Sequence, residues 1–556
     1  MKHSVIFSAI SILALFSSCS LEEIPQGYVT RETFYKTEEQ CLSALRAVYT
    51  PAHYMFQYDT WLALEACTDL WYSSSKLEDA QLEITPAKPG VGETMWLYGY
   101  KGVARANECV ECITSCPLSE EVKMPLAAEA RTLRAFYYYV LTSFFNGVPF
   151  YTFPVSDLEA SNAVRNLDRT DASQIRRQMY ADLKENALPY FTTDNGYARR
   201  MCEIENEHAG YALALMLMAK MAMWDKEWDD ALFALDKLEE LYGEFNESNY
   251  PLEEVCWKYN FSKESIFEIQ HAWNETGAKL YGDLAGVLCA KCTGEYMYDG
   301  VYMPQLSKTG TSTTPIRCNR RFILFRSANN SKTENAANAQ AIFKAAPMMF
   351  TNETYASGSN KRYCSVIDLS AISTGITANG SLLDKRILYT FGMGNLETGD
   401  TFTTLRTGST FYGGPKFWCN GMTANYDSNN YRLFRYADAV LMQAECHCMK
   451  GDGQKAMDYL NKIRNRAGIA PVTEYSSEEE FLSVIQDERA MELGGEFHRK
   501  FDLVRWGIWY EQTKKHNNQS RVVANIEGKP YLEYYPIPDT ECALSNGHLT
   551  NEAYEQ

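Results

Sequence analysis

Glu488 and Glu492 stand four residues apart in the stretch ERAMELGGEFHRKFDLVRWG that begins at Glu488. On a helix that spacing sets both carboxylates on one face, and paired carboxylates are the acid and base of glycosidases. Arg489, Arg499 and Arg505 interleave with Glu496 and Asp502. Guanidinium groups so close favour the ionised carboxylate. The pattern therefore reads as a structural ion-pair network, a common source of false catalytic sites. No catalytic residue is assigned.

Cysteine is the second residue type that could do chemistry. Sixteen occur, fifteen of them after Cys19. Cys109, Cys112 and Cys116 cluster, while Cys289 and Cys292 form a C-x-x-C pair, a spacing that zinc accepts. No histidine stands at ligand spacing beside either group, and the first cluster falls on a predicted helix. These thiols are read as small buried hydrophobes, with no metal and no cofactor expected. Their pairing stays open.

The charged stretch needs a scaffold, and hydrophobic periodicity supplies one. Tyr436, Ala439, Val440, Gln443, Ala444 and His447 share a helix face, and Ala456, Leu460, Ile463 and Ala467 form a second stripe. Gly451 and Gly453 separate the two, and Gly468 with Pro471 stops the second. Such a helix–turn–helix is the unit of a tetratricopeptide-like repeat. Helices should resume at Tyr431, and a third, charged helix should start near Ser477.

Upstream, a helix over 33–49 should end at Pro51, 61–69 should be helical, and WYSSS from Trp71 should be a loop. Met95, Tyr98, Gly102 and Ala106 form a helical stripe. Pro125 is expected to open a helix that buries Leu126, Ala130, Leu133, Tyr137, Val140, Leu141 and Phe144. Thr170 is the N-cap candidate for a helix over 171–188. The 209–224 segment is apolar nearly all round and should pair with 228–242. From 251 to 430 helical periodicity fades, glycine, threonine, serine and asparagine are dense, and strand-like pieces appear at SIFEIQ and VIDLS. A long irregular stretch inside a helical protein is usually functional.

These readings give a mostly α fold with tetratricopeptide-like helical repeats and a large irregular, loop-rich insertion carrying short strands. The divisions are a signal peptide at 1–18, helical repeats at 19–250, an irregular ligand-binding region at 251–430, and a helical region with an extended tail at 431–556.

With a formal charge of −18 over 556 residues, nucleic acid is excluded as a partner, because phosphates need a basic surface. Lys2 and His3 precede an apolar run over 5–16 that is too short to span a bilayer. The run closes in LFSSC, which resembles a bacterial lipobox and makes Cys19 the acylated first residue of the mature chain. Acyl chains anchor a protein by burying their methylenes.

Several segments together resemble the SusD/RagB family of Bacteroidetes outer-membrane nutrient-uptake lipoproteins. They are EARTLRAFYYYVLTSFFNGVPF from Glu129, GYALALMLMAKMAMW from Gly210, SKESIFEIQ from Ser262, RYADAVLMQAE from Arg435, LNKIRNRAG from Leu460, the Glu488 stretch, and YYPIPDTE from Tyr534. Glu22 and Glu23 resemble the acidic signal that directs such lipoproteins to the cell surface. One departure is visible. The family usually has a glycine where Phe497–His498 separates Glu496 from Arg499. The resemblance implies four tetratricopeptide-like helix pairs, no enzymatic activity, and a lipid anchor in the outer membrane at the cell surface. It also implies capture of an oligosaccharide or polysaccharide for a SusC-like TonB-dependent transporter.

A sugar presents a flat C–H face and a rim of hydroxyls, so its site needs aromatic faces and a few polar side chains. The candidates are Trp71, Tyr72, Trp273, Tyr281, Tyr296, Tyr298 and Tyr302, with Asn274, Asp299 and Arg317 as polar companions. Trp96 is weaker because it belongs to a helix stripe. Two other functions compete: a surface glycoside hydrolase, and a protein-binding scaffold of the uptake complex.

Overall fold

The computed structural model describes residues 34–555 apart from 74, 204–207, 258 and 274–278; between 289 and 426 it describes only short strands and residues 384–390, 415–417 and 419. The first helix, α1 (Glu38–Met55), opens on a capping box: the Gln40 amide donates to the Thr37 hydroxyl, and Gln40 Oε1 accepts from the Thr37 amide at 3.2 Å. Contrary to expectation, α1 continues through Pro51. Proline cannot donate to the carbonyl four residues back, and that orphaned acceptor, Ala47 O, is taken by Arg105 Nη1 at 2.7 Å.

Arg105 lies on α2 (Val91–Ser115), which packs between α1 and α3 (Glu120–Phe145). Helix α3 also begins earlier than its proline suggested. Glu120 and Glu121 form an acidic first turn that suits the positive helix end, and Pro125 sits one turn in. The predicted buried face is buried throughout. Close approach of α2 to α3 depends on Gly102, where an added Cβ would lie 2.4 Å from the Tyr137 ring.

Helix α4 (Ala172–Asn186) is capped by Asp171, whose carboxylate accepts from the amides of Ser173 and Gln174 at 2.9 and 3.2 Å. Thr170, the predicted cap, pairs instead with Val148. Helices α5 (Tyr211–Trp224) and α6 (Trp228–Tyr242) follow as an adjacent pair. Every residue of α5 from Ala212 to Met223 is buried, as its all-round apolar character requires.

The chain after 430 begins with a strand, not a helix. Tyr431–Arg435 pairs antiparallel with Ser265–Ile269, and both are fully buried. Only then does α7 (Tyr436–Met449) start, turning through Gly451 at φ +77° into α8 (Gly453–Ala467). Helix α9 (Glu478–Leu493) is capped by Ser477, as expected, and a short α10 (Arg499–Arg505) follows. Trp71–Ser73, read as a loop, is a strand whose partner is Ile316–Cys318. In the irregular region a four-stranded sheet contains Tyr363–Ile367, which takes in Val366 and Ile367 of the expected VIDLS strand; the rest of that stretch lies outside the described residues.

Stacked helix pairs with short strands in the insertion are the repeat architecture expected. One core serves both helical regions: Phe136 of α3 lies 5.2 Å from Phe267 and 6.5 Å from Phe434, ring to ring. Among the described residues, no helix is long and apolar enough to cross a membrane.

Candidate functional site

The charged helix α9 folds its carboxylates inward, where arginines from three other segments meet them. Glu492 Oε1 accepts from Arg435 Nη1 at 2.7 Å and from Arg466 Nη2 at 2.5 Å, while Oε2 accepts from Arg386 at 3.1 Å. Glu488 takes Arg464 at 2.8 Å and shares Arg386 with Glu492. Glu496 is held by both forks of Arg435 and by Lys416. Glu264, one residue before the Ser265–Ile269 strand, bonds Arg435 and Arg466. Burial alone would raise these acids, but the guanidiniums of Arg466, Arg435 and Arg386 outweigh it and hold Glu492 well below the carboxylate range. Arg435 and Lys416 likewise hold Glu496 at about 2 against its burial.

A general acid must keep its proton near neutral pH, and Glu492 cannot. The Glu488–Glu492 pair is thus a clasp. Its other predicted members act the same way: Arg489 joins Asp438 and Asp502, Arg499 joins Asp69, and Arg505 joins Glu445.

Part of the aromatic set lies elsewhere, near the C-terminal end of α1, where the His53 ring stands 5.0 Å from His271, the residue before the Ala272–Trp273 strand. Tyr72 is half-buried and stands opposite Arg317 in the Trp71–Ser73 ladder. Ala272–Trp273 pairs antiparallel with Lys279–Leu280, Trp273 opposite Lys279, and Tyr281 leads from there to Asp283. Tyr58 links the two groups. Its amide donates to Asp283 Oδ1 at 3.0 Å, and Ser73 and Ser75 lie beside its hydroxyl. Two carboxyls here are raised by desolvation, half-buried Asp283 to about 6 and buried Asp427 to about 7. Tyr431 OH accepts from the Asp283 and Leu284 amides at 2.5 and 2.9 Å, pinning this rim to the core strand.

Trp71 is different and corrects the expectation. It is 0% exposed, with its ring 5.4 Å from Trp61 and 6.2 Å from Phe417, so it offers no face to a ligand. Tyr296, Tyr298 and Tyr302 belong to one small ladder, in which Tyr296 faces Met303, Tyr298 faces Val301 and Tyr302 faces Met297 in register. Asn274, Asp299 and Cys19, with the side chains of Trp273, Tyr296, Tyr298, Tyr302 and Arg317, lie outside the described residues.

With this geometry in hand, comparison with known proteins is informative. A family model described as "SusD family" matches residues 385–554, and one described as "Starch-binding associating with outer membrane" matches residues 37–214. Between them they span more than half of the chain. The chain belongs to the SusD family. It is similar to the SusD-like protein P25 of Formosa agariphila, 24% identical over 98% of this chain and 97% of that protein. A SusD homolog structure from Bacteroides thetaiotaomicron superposes with a TM-score of 0.64 at 18% identity, covering 93% of this chain and 97% of its own. Surface glycan-binding protein A from the same organism, solved with laminarihexaose, gives 0.59 at 21% identity, covering 93% and 99%.

In this SusD-family chain the sequence reading missed several residues that do structural or surface work. Arg386, Arg435, Arg466 and Glu264 complete the clasp from outside α9; only their burial in three dimensions marks them. Tyr98, placed in a helical stripe, is half-buried and stacks on Tyr54. Cys41 joins the thiol cluster, pushed up to about 12 by burial and by its neighbours Cys116 and Cys112. Among the described residues, no group of three or more His, Cys, Asp or Glu is arranged to hold a metal. Cys289 and Cys292 lie outside the described residues.

Proposed function

We propose that this protein is a lipid-anchored, cell-surface glycan-binding component of an outer-membrane uptake system. It captures an oligosaccharide at the aromatic rim and passes it to a SusC-like TonB-dependent transporter. The observation that carries the reading is the convergence around Tyr58, which ties the Tyr72–Arg317 ladder to the segment that follows the Trp273–Lys279 pair. Tyrosine and tryptophan rings stack on sugar C–H faces, while an arginine donates to ring hydroxyls. Relatives support the same class of ligand: similar proteins include one named a starch-binding protein and one solved with laminarihexaose.

The hydrolase reading loses the Glu488–Glu492 pair to the clasp, because Glu492 is held ionised by three arginines. The experiment is to incubate the full-length protein in detergent with soluble starch, laminarin, xylan, mannan and pectin, following both binding and chain length. Binding with unchanged chain length is expected. Shortened chains would favour the hydrolase, and retention by the transporter alone would favour the scaffold.

A further inference from the structure

One aromatic surface beside the rim serves neither the core nor the clasp. Tyr54, on the last turn of α1, is 45% exposed. Its ring lies 4.7 Å from that of Tyr98 on α2, with 16° between the planes, and Lys101 Nζ stands 4.8 Å from the Tyr98 centroid. His53 meets the Tyr54 ring edge-on at 5.4 Å. Leu97, next to Tyr98, is 44% exposed. Tyr54 is therefore an exposed ring held in orientation from two sides, by Tyr98 and His53. Neither tyrosine hydroxyl makes a hydrogen bond within the described residues, so both polar ends are unspent.

The place of this stack matters as much as its form. The His53 ring lies 5.0 Å from His271, which immediately precedes the Ala272–Trp273 strand. The stacked pair thus flanks the strand that carries Trp273. A rigid aromatic face with a free hydroxyl, set beside other aromatic candidates, matches the flat C–H face and hydroxyl rim of a pyranose. Ordering cost is low, because the Tyr98 stack and the His53 contact already restrict the Tyr54 side chain.

We propose that Tyr54, backed by Tyr98 and Lys101, is a second carbohydrate-stacking subsite that extends the glycan site along the α1–α2 surface. The proposal rests on the glycan-binding reading above. Its ligand is a pyranose unit of the same chain, stacked on the outer face of Tyr54.

Titration calorimetry on the full-length protein in detergent tests it, using whichever of starch, laminarin, xylan, mannan and pectin the unaltered protein binds. Tyr54→Ala should weaken binding about tenfold, and Tyr98→Ala should weaken it too, because the backing ring is gone. Tyr54→Trp should retain affinity, and thermal unfolding of Tyr54→Ala should match the unaltered protein. If Tyr54→Ala binds within about twofold of the unaltered protein while Tyr72→Ala loses binding, the subsite is wrong and the main site stands. If the unaltered protein binds no member of the panel, both are wrong.

Discussion

Arg435 grips Glu496 through both carboxylate oxygens, at 2.8 and 3.0 Å, and reaches Glu492 with the same guanidinium at 2.7 Å. Arg435 ends the Tyr431–Arg435 strand, whereas the two acids bracket the end of α9. One side chain therefore joins the core sheet to the helical repeats. Removing one member of a buried ion network leaves a buried charge without its partner, at a cost of about 3–5 kcal/mol. Glu492→Ala should lower stability by about that amount, read as a fall in the thermal midpoint. Glu488→Ala, which removes one carboxylate partner from each of Arg386 and Arg464, should act in the same direction. Replacement without any loss of stability would remove the clasp from the account.

The pH dependence follows from two opposed groups of acids. Glu496, at about 2, and Glu492, well below its ordinary 4.5, are depressed on folding. Their contribution is present above the ordinary value and is lost as pH falls from 4.5 toward 2. Glu65 is raised by burial to about 8, Asp427 to about 7 and Asp79 to about 6. Their contribution is present below the ordinary carboxylate range and is lost as pH rises from about 4 to 8. Buried Lys500, lowered to about 8, adds stability only above that pH, as the unfolded lysine keeps its proton up to 10.5. Thermal midpoints across pH 3–8 should therefore peak near pH 5, by the same linkage. A midpoint that climbs steadily to pH 8 would contradict these assignments.

Phe497 carries φ +67°. A left-handed conformation costs a non-glycine residue about 1–2 kcal/mol. The ring repays more than that: it is 3% exposed and lies 5.4 Å from Phe56 and 6.1 Å from Tyr431. Deleting a buried phenylalanine ring costs about 3–5 kcal/mol. Phe497→Gly should therefore destabilise by about 2 kcal/mol net, measured by denaturant unfolding. A stabilised variant would mean that backbone strain outweighs packing here.

Trp71 and Tyr72 are neighbours with opposite duties. Trp71→Ala should cost about 3–5 kcal/mol, because it empties a core position against Trp61 and Phe417. Tyr72→Ala should change stability by less than about 1 kcal/mol. Chemical denaturation of the two variants separates them, and equal losses would place Tyr72 in the core as well.

What the sequence made legible was periodic or capped. The stripe at Ala456, Leu460, Ile463 and Ala467 is fully buried, and Ser477 caps α9. The interleaved charges signalled the ion network that the structure shows. What escaped depended on partners distant in the chain. Pro51 looked like a helix stop because nothing local shows that Arg105 takes the orphaned Ala47 carbonyl. Tyr431–Arg435 looked helical because its partner strand lies more than 150 residues earlier. Aromatic content marked Trp71 and Tyr72 alike, and only burial tells the core ring from the rim.

The most direct test compares the glycan affinity of Tyr72→Ala with that of Glu488→Ala, both titrated as full-length proteins below their unfolding temperatures. The account predicts that Tyr72→Ala loses about tenfold or more in affinity, while Glu488→Ala, though less stable, binds as the unaltered protein does. Lost binding in a folded Glu488→Ala, with Tyr72→Ala unaffected, would return the site to the charged helix and contradict it.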